Sequence, residues 1–332
     1  MDLGLLVPSQ GVLARRDGAV ERVSLSIEEM RLPDVFATAD RLGFAFLGFP
    51  DHVATARGGP RHAVAPGVYP KWPERLTMLD PLTTMAAAAA VTTRVELWTS
   101  ILIAPLRHPL VLAHQLATLD GLSGGRVIAG VGSGWHETEF APLGASYEDR
   151  GAHTEECLQV YDLAWTREWA SFEGRFVRFD DVSVLPKPVR QPRIPLLYGG
   201  DSVTAARRAA RRCDGLYPRV DEGVADPAAR HDALRDAVRR EADRIGRSLD
   251  GFKLAILGSF ELDPQPTVEA PFLSGSTDVV LERLQELARQ GFSHCTLRPI
   301  LRQPTVEEFL EVAQRIAEEI IPQAAQLEPA GL

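Results

Sequence analysis

One histidine of the sequence, His52, stands where an imidazole could do acid–base chemistry. It directly follows Asp51, and both come after an apolar stretch, Phe44–Gly48, that has the composition of a buried strand. Histidine is the side chain whose charge changes near neutral pH, which makes His52 a candidate proton donor or acceptor. A single histidine in a loop can also be structural, and the sequence leaves both interpretations open.

A glycine-rich stretch, Leu119–Phe140, reads LDGLSGGRVIAGVGSGWHETEF and places five glycines within eleven residues. It does not match the dinucleotide-binding pattern GxGxxG, because Trp135 occupies the position of the third glycine. Glycines here would let a flat ligand or a phosphate approach the backbone, and Trp135 could stack on a flat heterocycle. The alternatives are a ligand-free turn and a tryptophan that only closes the mouth of a pocket.

A second segment of small residues, Gly199-Gly200-Asp201-Ser202, directly precedes a helical stretch. Backbone N–H groups at the start of a helix attract anions through partial charge and hydrogen bonding, so a phosphate could bind here. A tight turn in which Ser202 or Asp201 caps the helix is an equally good interpretation.

Composition limits the partners and the compartment. The formal net charge is −9, and arginine far outnumbers lysine, so no basic surface for nucleic acid or anionic membrane is expected, and a small molecule is the expected partner. No apolar run reaches the length of a membrane span, and the first residues lack the layout of a signal peptide, which predicts a cytoplasmic protein. Cys157, Cys213 and Cys295 are far apart and are interpreted as core thiols, and no metal-binding motif is present.

The elements that would position these residues alternate along the chain. Short apolar runs predict eight strands: Leu3–Val7, Phe44–Gly48, Val95–Thr99, Val127–Val131, Ile194–Tyr198, Gly215–Tyr217, Lys253–Leu257 and His294–Arg298. Amphipathic stretches predict eight helices: Ile27–Leu42, Asp80–Val91, Pro109–Leu119, Arg150–Arg167, Ser202–Arg212, Pro227–Ile245, Thr277–Gln290 and Thr305–Ile320. Asp80, Ser202 and Ser276 have the residue types of helix N-caps.

Strict strand–helix alternation over this length predicts an α/β fold, a (β/α)8 TIM barrel formed by residues 1–332 as a single domain. A doubly wound sheet is the alternative, because strand order cannot be read from the sequence. Two insertions interrupt the repeat. Val53–Leu79, after strand 2, is a candidate lid or a surface loop, and Ser171–Pro186, before strand 5, alternates like a hairpin.

In such a barrel the carboxyl ends of the strands meet at one face. Strands 2 to 5 would bring together Asp51-His52, Ser100-Ile101, Gly130–Gly134 and Gly199–Ser202. Two glycine-rich turns on adjacent strands at the same face favour a cofactor site over two unrelated turns.

Three motifs carry a family likeness. They are RLGFAFLGFPDHV (41–53), LRHPLVLAHQLATLDGLSGGRVIAGVGSGWHETEFAPLG (106–144) and PLLYGGDSVTAARRAARRCDGLYP (195–218). In order and spacing, the sequence resembles the bacterial-luciferase-like flavin monooxygenase superfamily, and within it the branch of oxidoreductases that use the deazaflavin F420.

The resemblance implies roles for individual residues. Asp51 and His52 would lie beside the reactive ring, with His52 as the proton donor or acceptor. Ser100-Ile101 matches a position where members often have a non-prolyl cis peptide behind the ring. The cofactor set is then Asp51, Ser100, Ile101, Gly130, Gly132, Ser133, Gly134, Gly199, Gly200, Asp201 and Ser202, with the glycines holding the ribityl chain and phosphate, and Trp135 belongs to the substrate pocket.

The sequence departs from the expected pattern in two ways. The general barrel rule puts phosphate after strands 7 and 8, whereas these glycines follow strands 4 and 5. Some F420 dehydrogenases also place a glutamate near the strand 4 turn. Ser133 and Trp135 occupy that turn here, and Glu137 and Glu139 come only further along, so neither glutamate is assigned a role.

Three functional hypotheses follow from the resemblance. The first is F420-dependent hydride transfer to or from a small organic substrate. The second is an FMN-dependent monooxygenase that uses reduced flavin and O2. The third is a flavin-binding protein without turnover. The family also suggests a homodimer, and a separate flavin or F420 reductase as the partner that supplies reduced cofactor.

Overall fold

The structure is a computed structural model that describes residues 1–16, 19–55, 57, 73, 75–219, 227–262 and 272–332. All structural statements below concern these residues.

Eight parallel strands form a closed barrel. They are β1 (Asp2–Leu6), β2 (Phe46–Phe49), β3 (Glu96–Thr99), β4 (Val127–Gly132), β5 (Leu196–Gly199), β6 (Gly215–Tyr217), β7 (Lys253–Leu262) and β8 (His294–Leu301). Each pairs with the next in parallel, and β8 pairs with β1 through Asp2 and His294, which closes the sheet. The predicted (β/α)8 barrel is therefore confirmed, and the doubly wound alternative is wrong because such a sheet stays open.

Helices follow the strands and pack on the outside of the sheet. The main ones are α1 (Leu32–Leu42), α2 (Pro81–Val91), α3 (Pro109–Ser123), α4 (Arg150–Thr166), α5 (Val203–Arg212), α6 (Pro227–Ile245), α7 (Thr277–Arg289) and α8 (Val306–Arg315). The predicted N-caps are confirmed, since the side chains of Asp80, Ser202 and Ser276 accept hydrogen bonds from the N–H groups of Thr83, Ala205 and Val279.

One helix prediction was wrong. The stretch Ile27–Leu42, predicted as continuous, is a short helix Ile27–Met30 followed by α1. Arg31 between them has a φ of 40°, in the left-handed region that ends a helix.

Additional strands extend the barrel. Val12–Arg16 pairs antiparallel with Ala19–Val23 and parallel with β8, and this hairpin after β1 was not predicted. The predicted hairpin before β5 is confirmed as Ala170–Glu173 paired with Arg178–Val182. Most of the insertion after β2, at 56, 58–72 and 74, lies outside the described residues, so the lid stays a prediction.

The barrel interior is filled by a small cluster separate from the core under the helices. Its members come from successive strands β2 to β7: Phe46, Trp98, Ile128, Leu197, Tyr217 and Ala255. Phe46 and Trp98 stack with ring centroids 4.0 Å apart. Gly4 on β1 makes room for this layer, because a Cβ at that position would lie 2.2 Å from the Phe46 ring. The interior is therefore packed rather than open, and a ligand must bind at the strand ends.

Two observations bear on membrane and metal binding. Within the described residues, no helix has the length and apolarity needed to span a membrane. In the same part of the chain, no group of three or more His, Cys, Asp or Glu side chains is placed to hold a metal ion. Cys157, Cys213 and Cys295 are buried free thiols, as predicted for core positions.

Candidate active site

A cavity of about 330 Å3 opens at the carboxyl ends of the strands. Its lining contains most of the predicted site residues, namely Asp51, His52, Ser100, Ile101, Ser133, Gly134, Trp135, Gly199, Gly200 and Asp201. The predicted residues Gly130, Gly132 and Ser202 do not line it. The closure of the barrel thus brings together side chains that follow four different strands.

His52 is held by a carboxylate that the sequence did not identify. Its Nδ1 lies 2.7 Å from Oε2 of Glu139, and the side chains of His52 and Glu139 are 11% and 0% exposed. The other carboxylate oxygen accepts hydrogen bonds from the backbone N–H groups of Val53, at 2.7 Å, and Ala54, at 3.3 Å. Glu139 therefore fixes both the imidazole and the chain that carries it.

The charge of Glu139 is retained despite its burial. Burial acts to raise the pKa of Glu139, but the hydrogen bond and charge of His52 and the N–H groups of Val53 and Ala54 lower that pKa below its ordinary value. Nearby, burial together with the charge of His52 lowers the pKa of His136, against the opposing effect of Glu139. His136 is thus a neutral neighbour, and the carboxylate of Glu139 is the charged partner at Nδ1 of His52.

Asp51 has a structural task next to this pair. Its carboxylate accepts hydrogen bonds from Arg107 Nη1 at 2.6 Å, from Arg107 Nη2 at 2.9 Å and from the backbone N–H of Ile103 at 2.9 Å. These bonds tie the end of β2 to the segment after β3. The contact of Asp51 with a cofactor stays a prediction.

The peptide bond Ser100–Ile101, after β3, is cis, as the resemblance implied. The side chain of Ile101 occupies the space that the glycines of β4 and β5 leave open. A Cβ on Gly132 would lie 2.3 Å, and one on Gly199 2.2 Å, from Ile101 Cδ1. A Cβ on Gly130 would lie 2.1 Å from the carbonyl oxygen of Thr99. These three glycines admit neighbouring protein atoms, so their contact with a ribityl chain or phosphate stays a prediction.

Ser100 also belongs to a hydroxyl network that crosses the barrel mouth. Its Oγ lies 2.9 Å from the hydroxyl of Tyr217, which in turn is hydrogen-bonded to Thr296. Burial raises the pKa of Tyr217 to about 12, so this phenol stays protonated at neutral pH.

The segment Gly200–Ser202 is built as a helix start. Ser202 caps α5, and Gly200 has a φ of 156°, where an added Cβ would lie 2.8 Å from that of Ala205. Asp201 accepts hydrogen bonds from the backbone N–H of Arg219 at 2.8 Å and from the guanidinium of Arg219 at 3.2 Å. The capping interpretation is thus correct for Ser202, and a phosphate at Gly199-Gly200 stays a prediction.

Trp135 lies at the wall of the cavity beside His52. The two rings meet edge to face with centroids 5.7 Å apart. The loop that carries Trp135 is fastened from outside, because Tyr147 OH donates to the Trp135 carbonyl at 3.2 Å and Arg150 Nε donates to the Gly134 carbonyl at 3.2 Å. The indole is therefore positioned to form part of a ligand wall.

The cavity fits a flat, flavin-type ring. Apolar side chains of Leu6, Val7, Ile101, Ile103 and Leu257 line it together with polar groups, the combination that cofactor sites use to hold a ring and orient its edge. Gln10, also in the lining, has a buried side-chain Nε2 with no hydrogen-bond partner among the described residues, so the cavity offers a donor that a ligand could satisfy.

Known proteins with similar sequences use two different cofactors. The family model for luciferase-like monooxygenases matches residues 11–268. An F420-dependent glucose-6-phosphate dehydrogenase of Nakamurella multipartita is 31% identical over 299 residues, 89% of this chain and 77% of that protein. An FMNH2-dependent dimethylsulfone monooxygenase of Pseudomonas putida is 32% identical over 179 residues, 53% of this chain and 49% of that protein.

The similarity to some relatives covers only part of each chain. An uncharacterised protein of Mycobacterium tuberculosis is 42% identical over 153 residues, which are 44% of this chain and 54% of that protein. The chain therefore spans about half the length of this relative.

Among solved structures, the monooxygenase RslO1 of Streptomyces bottropensis has a TM-score of 0.77 at 22% identity, and the match covers 97% of this chain and 99% of that one. This last likeness is one of fold.

Proposed function

Because the chain belongs to the luciferase-like monooxygenase family, we propose that it is an oxidoreductase with a flavin-type cofactor, and that the cofactor is F420. The reaction is hydride transfer to or from a small organic substrate. The observation that carries the proposal is the His52–Glu139 pair in the wall of the cavity, since hydride transfer at an alcohol or carbonyl carbon also requires a proton to move. The relative matched over 89% of the chain is F420-dependent, which favours F420 over FMN.

Each residue of the site would have a defined task. When bound, F420 supplies a carrier for one hydride. Ile101 and Ser100 would support the ring from the β3 side, and Trp135 would hold the substrate against it. In the oxidation of an alcohol, the hydride that leaves the carbon would be taken up by the oxidised cofactor, and the electron pair of the O–H bond would form the carbonyl double bond. His52 takes the hydroxyl proton at Nε2 while Nδ1 remains bound to Glu139.

The electrostatics of the pair suit this proton transfer. Because the pKa of Glu139 is lowered, its carboxylate is charged at neutral pH, and that charge stabilises the protonated imidazole formed when His52 accepts a proton. In the reverse direction, the same imidazolium returns the proton to a carbonyl oxygen. The buried position of Glu139 keeps water from screening its charge.

The second candidate is an FMN-dependent monooxygenase. It is supported by the Pseudomonas putida relative, whose name assigns it FMNH2. That function requires O2 as co-substrate and a separate reductase as partner. His52 would then protonate or deprotonate the oxygenated substrate rather than accompany a hydride transfer.

Equilibrium binding of F420 and FMN to the purified protein, followed by fluorescence at moderate ionic strength, tests the choice. We expect F420 to bind with micromolar or tighter affinity and FMN to bind more weakly. Tight FMN binding with weak F420 binding would replace the proposal by the monooxygenase. Binding of neither would reject a flavin-type cofactor altogether.

The His52→Ala variant separates an enzyme from a protein that only binds cofactor. We expect turnover to fall by about 10²–10⁴-fold, the contribution of a lost acid–base group, while cofactor affinity stays within a few fold. A chain that binds F420 but shows no turnover across alcohols, imines and enones, with or without His52, would fit the non-catalytic hypothesis instead.

A further inference from the structure

Three arginines line the cavity on the strands that carry none of the predicted cofactor residues. Arg219 follows β6, Arg298 lies in β8, and Arg22 lies in the hairpin after β1. In the closed barrel, β6, β7, β8 and β1 are consecutive neighbours. The cationic side chains therefore occupy one sector, and the predicted cofactor residues of β2 to β5 occupy the other.

Strand pairing brings two of these arginines into the same region. Arg22 pairs with Leu13, and Leu13 pairs with Ile300, two residues beyond Arg298 on β8. The guanidiniums are also fixed in place. Arg298 Nε donates to Ser259 Oγ at 3.1 Å, and Arg22 Nη1 donates to the Gln10 carbonyl at 3.1 Å.

Gln10 adds an independent sign of a ligand on this side. The residue follows β1, is only 2% exposed and lines the cavity. Its side-chain Nε2 has no hydrogen-bond partner among the described residues. A buried amide donor without a partner costs free energy, and a ligand with an acceptor at this point would remove that cost.

The carboxylates in the described lining are already engaged. Asp51 is bound by Arg107, and Asp201 is bound by Arg219, while Arg230 donates to the Asp201 carbonyl at 2.8 Å. The described part of this sector presents guanidinium N–H groups and the amide of Gln10 as hydrogen-bond donors. Guanidinium groups match phosphate and carboxylate oxygens in geometry and charge, so the chemistry of the sector selects an anionic group with several acceptor oxygens.

We propose that the substrate of this enzyme carries such a group, a phosphate or a carboxylate, bound by Arg22, Arg298 and Gln10. This inference rests on the proposed function, because it names the class of molecule that the hydride-transfer site takes. The anionic group anchors the substrate on the β8 and β1 side, and its reacting carbon then lies between that anchor and His52.

Inorganic phosphate is the probe, and the first measurement needs no cofactor. The thermal unfolding midpoint of the full chain is followed as phosphate is added, with sodium chloride at matched ionic strength as the reference. We expect a saturable rise with phosphate only. Arg298→Gln and Arg22→Gln each weaken phosphate binding by about 10- to 100-fold, the loss of a hydrogen bond to a charged group.

Two further variants control for charge and folding. Arg302→Gln removes the same charge from an exposed position of the chain just after β8, outside the cavity lining, and leaves phosphate binding unchanged. Gln10→Leu removes the buried donor without changing the charge and weakens phosphate binding by several fold. It also supplies the test if an arginine variant does not fold.

The proposal and the assignment of the cofactor fail in different ways. Two results together support the proposal. The Arg298→Gln variant binds F420 with an affinity within about threefold of wild type. The enzyme shows a kcat/KM about 10-fold or more higher for phosphorylated or carboxylated substrates than for their neutral counterparts. A phosphate effect that equals chloride, or that survives in Arg298→Gln, Arg22→Gln and Gln10→Leu, overturns it. A joint loss of F420 affinity in the arginine variants also overturns it, by assigning these cations to the cofactor. If the wild-type protein binds neither F420 nor FMN but still binds phosphate through the arginines, only the proposed function is rejected.

Discussion

Glu139 reaches His52 from 87 residues further along the chain, and in the proposed reaction it decides which ring nitrogen of the histidine exchanges a proton. A charged carboxylate at Nδ1 accepts that N–H, so Nε2 is left as the basic nitrogen of the neutral ring. The same contact stabilises the ring once both nitrogens are protonated. In the proposed reaction Glu139 is thus a positioning residue whose effect passes through His52.

The Glu139→Gln substitution tests this role. A glutamine can still accept from the N–H groups of Val53 and Ala54, but its NH2 would face Nδ1 and favour the opposite tautomer. We expect kcat to fall by about 10- to 100-fold, less than the loss of the whole acid–base group in His52→Ala.

Glu148→Gln is the matched control, because it makes the same change at an exposed position shortly before α4. It leaves kcat unchanged. A Glu139→Gln variant with wild-type kcat would show that the carboxylate only holds the chain in place.

The sequence could indicate His52 but not its partner. His52 follows a strand end at which the barrel rule expects chemistry, whereas Glu139 lies in a short helical turn, Glu137–Glu139, whose path depends on the loop after β4. Two glutamates stand in that turn, and only Glu139 is fully buried against the end of β2. A single sequence carries no signal that distinguishes between them, because their separation from His52 is set by tertiary packing.

At the scale of elements, the glycines of β4 and β5 are spacers for the side chain of Ile101. We expect Gly199→Ala to destabilise the protein by about 1–3 kcal/mol, because the added Cβ overlaps Ile101 Cδ1. In an Ile101→Ala background the overlap is absent, so the same substitution costs less. The difference, measured by chemical denaturation of the four proteins of the cycle, is expected to be about 0.5–3 kcal/mol.

Gly130→Ala provides the contrast within the same strands. Its added Cβ would lie 2.1 Å from the carbonyl oxygen of Thr99, closer than the 3.1 Å to Ile101 Cγ2, so the strand itself must shift. Most of the cost should therefore remain in the Ile101→Ala background. Equal costs for Gly199→Ala in both backgrounds would show that Ile101 is not what the glycine accommodates.

Local patterns predicted most elements because buried parallel strands are short apolar runs and their helices are amphipathic. The failures have physical causes. The helix break at Arg31 is marked by Pro33, which suits the first turn of a new helix. In the hairpin after β1, the first strand, Val12–Arg16, is buried at its first three residues but ends in two arginines, and the second strand, Ala19–Val23, is only partly buried. Neither strand is therefore a continuous apolar run, although the sequence between them, Asp17-Gly18, is typical of two-residue hairpin loops.

At the scale of the whole molecule, barrel closure is what turns separate motifs into one site. The strand count predicted it, since eight parallel strands with helices between them can close with β8 beside β1. Closure also brings the arginines of β6, β8 and the first hairpin around to face the predicted cofactor residues. The sequence could not show this second sector, because single arginines without a motif are indistinguishable from surface charges.

The opposite end of the barrel contains a buried histidine that links stability to pH. His294, at the start of β8, lies against the Trp98 ring with centroids 5.1 Å apart. Its Nε2 is 3.2 Å from Lys253 Nζ and 3.4 Å from Asp2 Oδ2. Burial lowers the pKa of His294 from 6.5 to about 3, and the charges of Lys253 and of the chain N-terminus act in the same direction. The ring is therefore neutral, so it accepts a hydrogen bond from Lys253 and forms no ion pair with Asp2.

Because the unfolded chain takes up a proton at His294 that the folded protein refuses, unfolding becomes easier as the pH falls. The stability that the neutral ring contributes is fully present above pH 6.5 and is lost progressively as the pH falls from there toward about 3. Protonation of this one group in the unfolded chain should make the free energy of unfolding about 2 kcal/mol lower at about pH 5 than at about pH 7.

Urea denaturation at the two pH values measures this difference in the free energy of unfolding. We expect the difference to shrink by that amount in His294→Gln, whose amide oxygen can still accept a hydrogen bond from Lys253. His114→Gln, at an exposed position of α3, should leave the difference as in wild type. If His294→Gln keeps the full wild-type difference, the folded protein accepts the proton at His294 and the buried ring is charged rather than neutral.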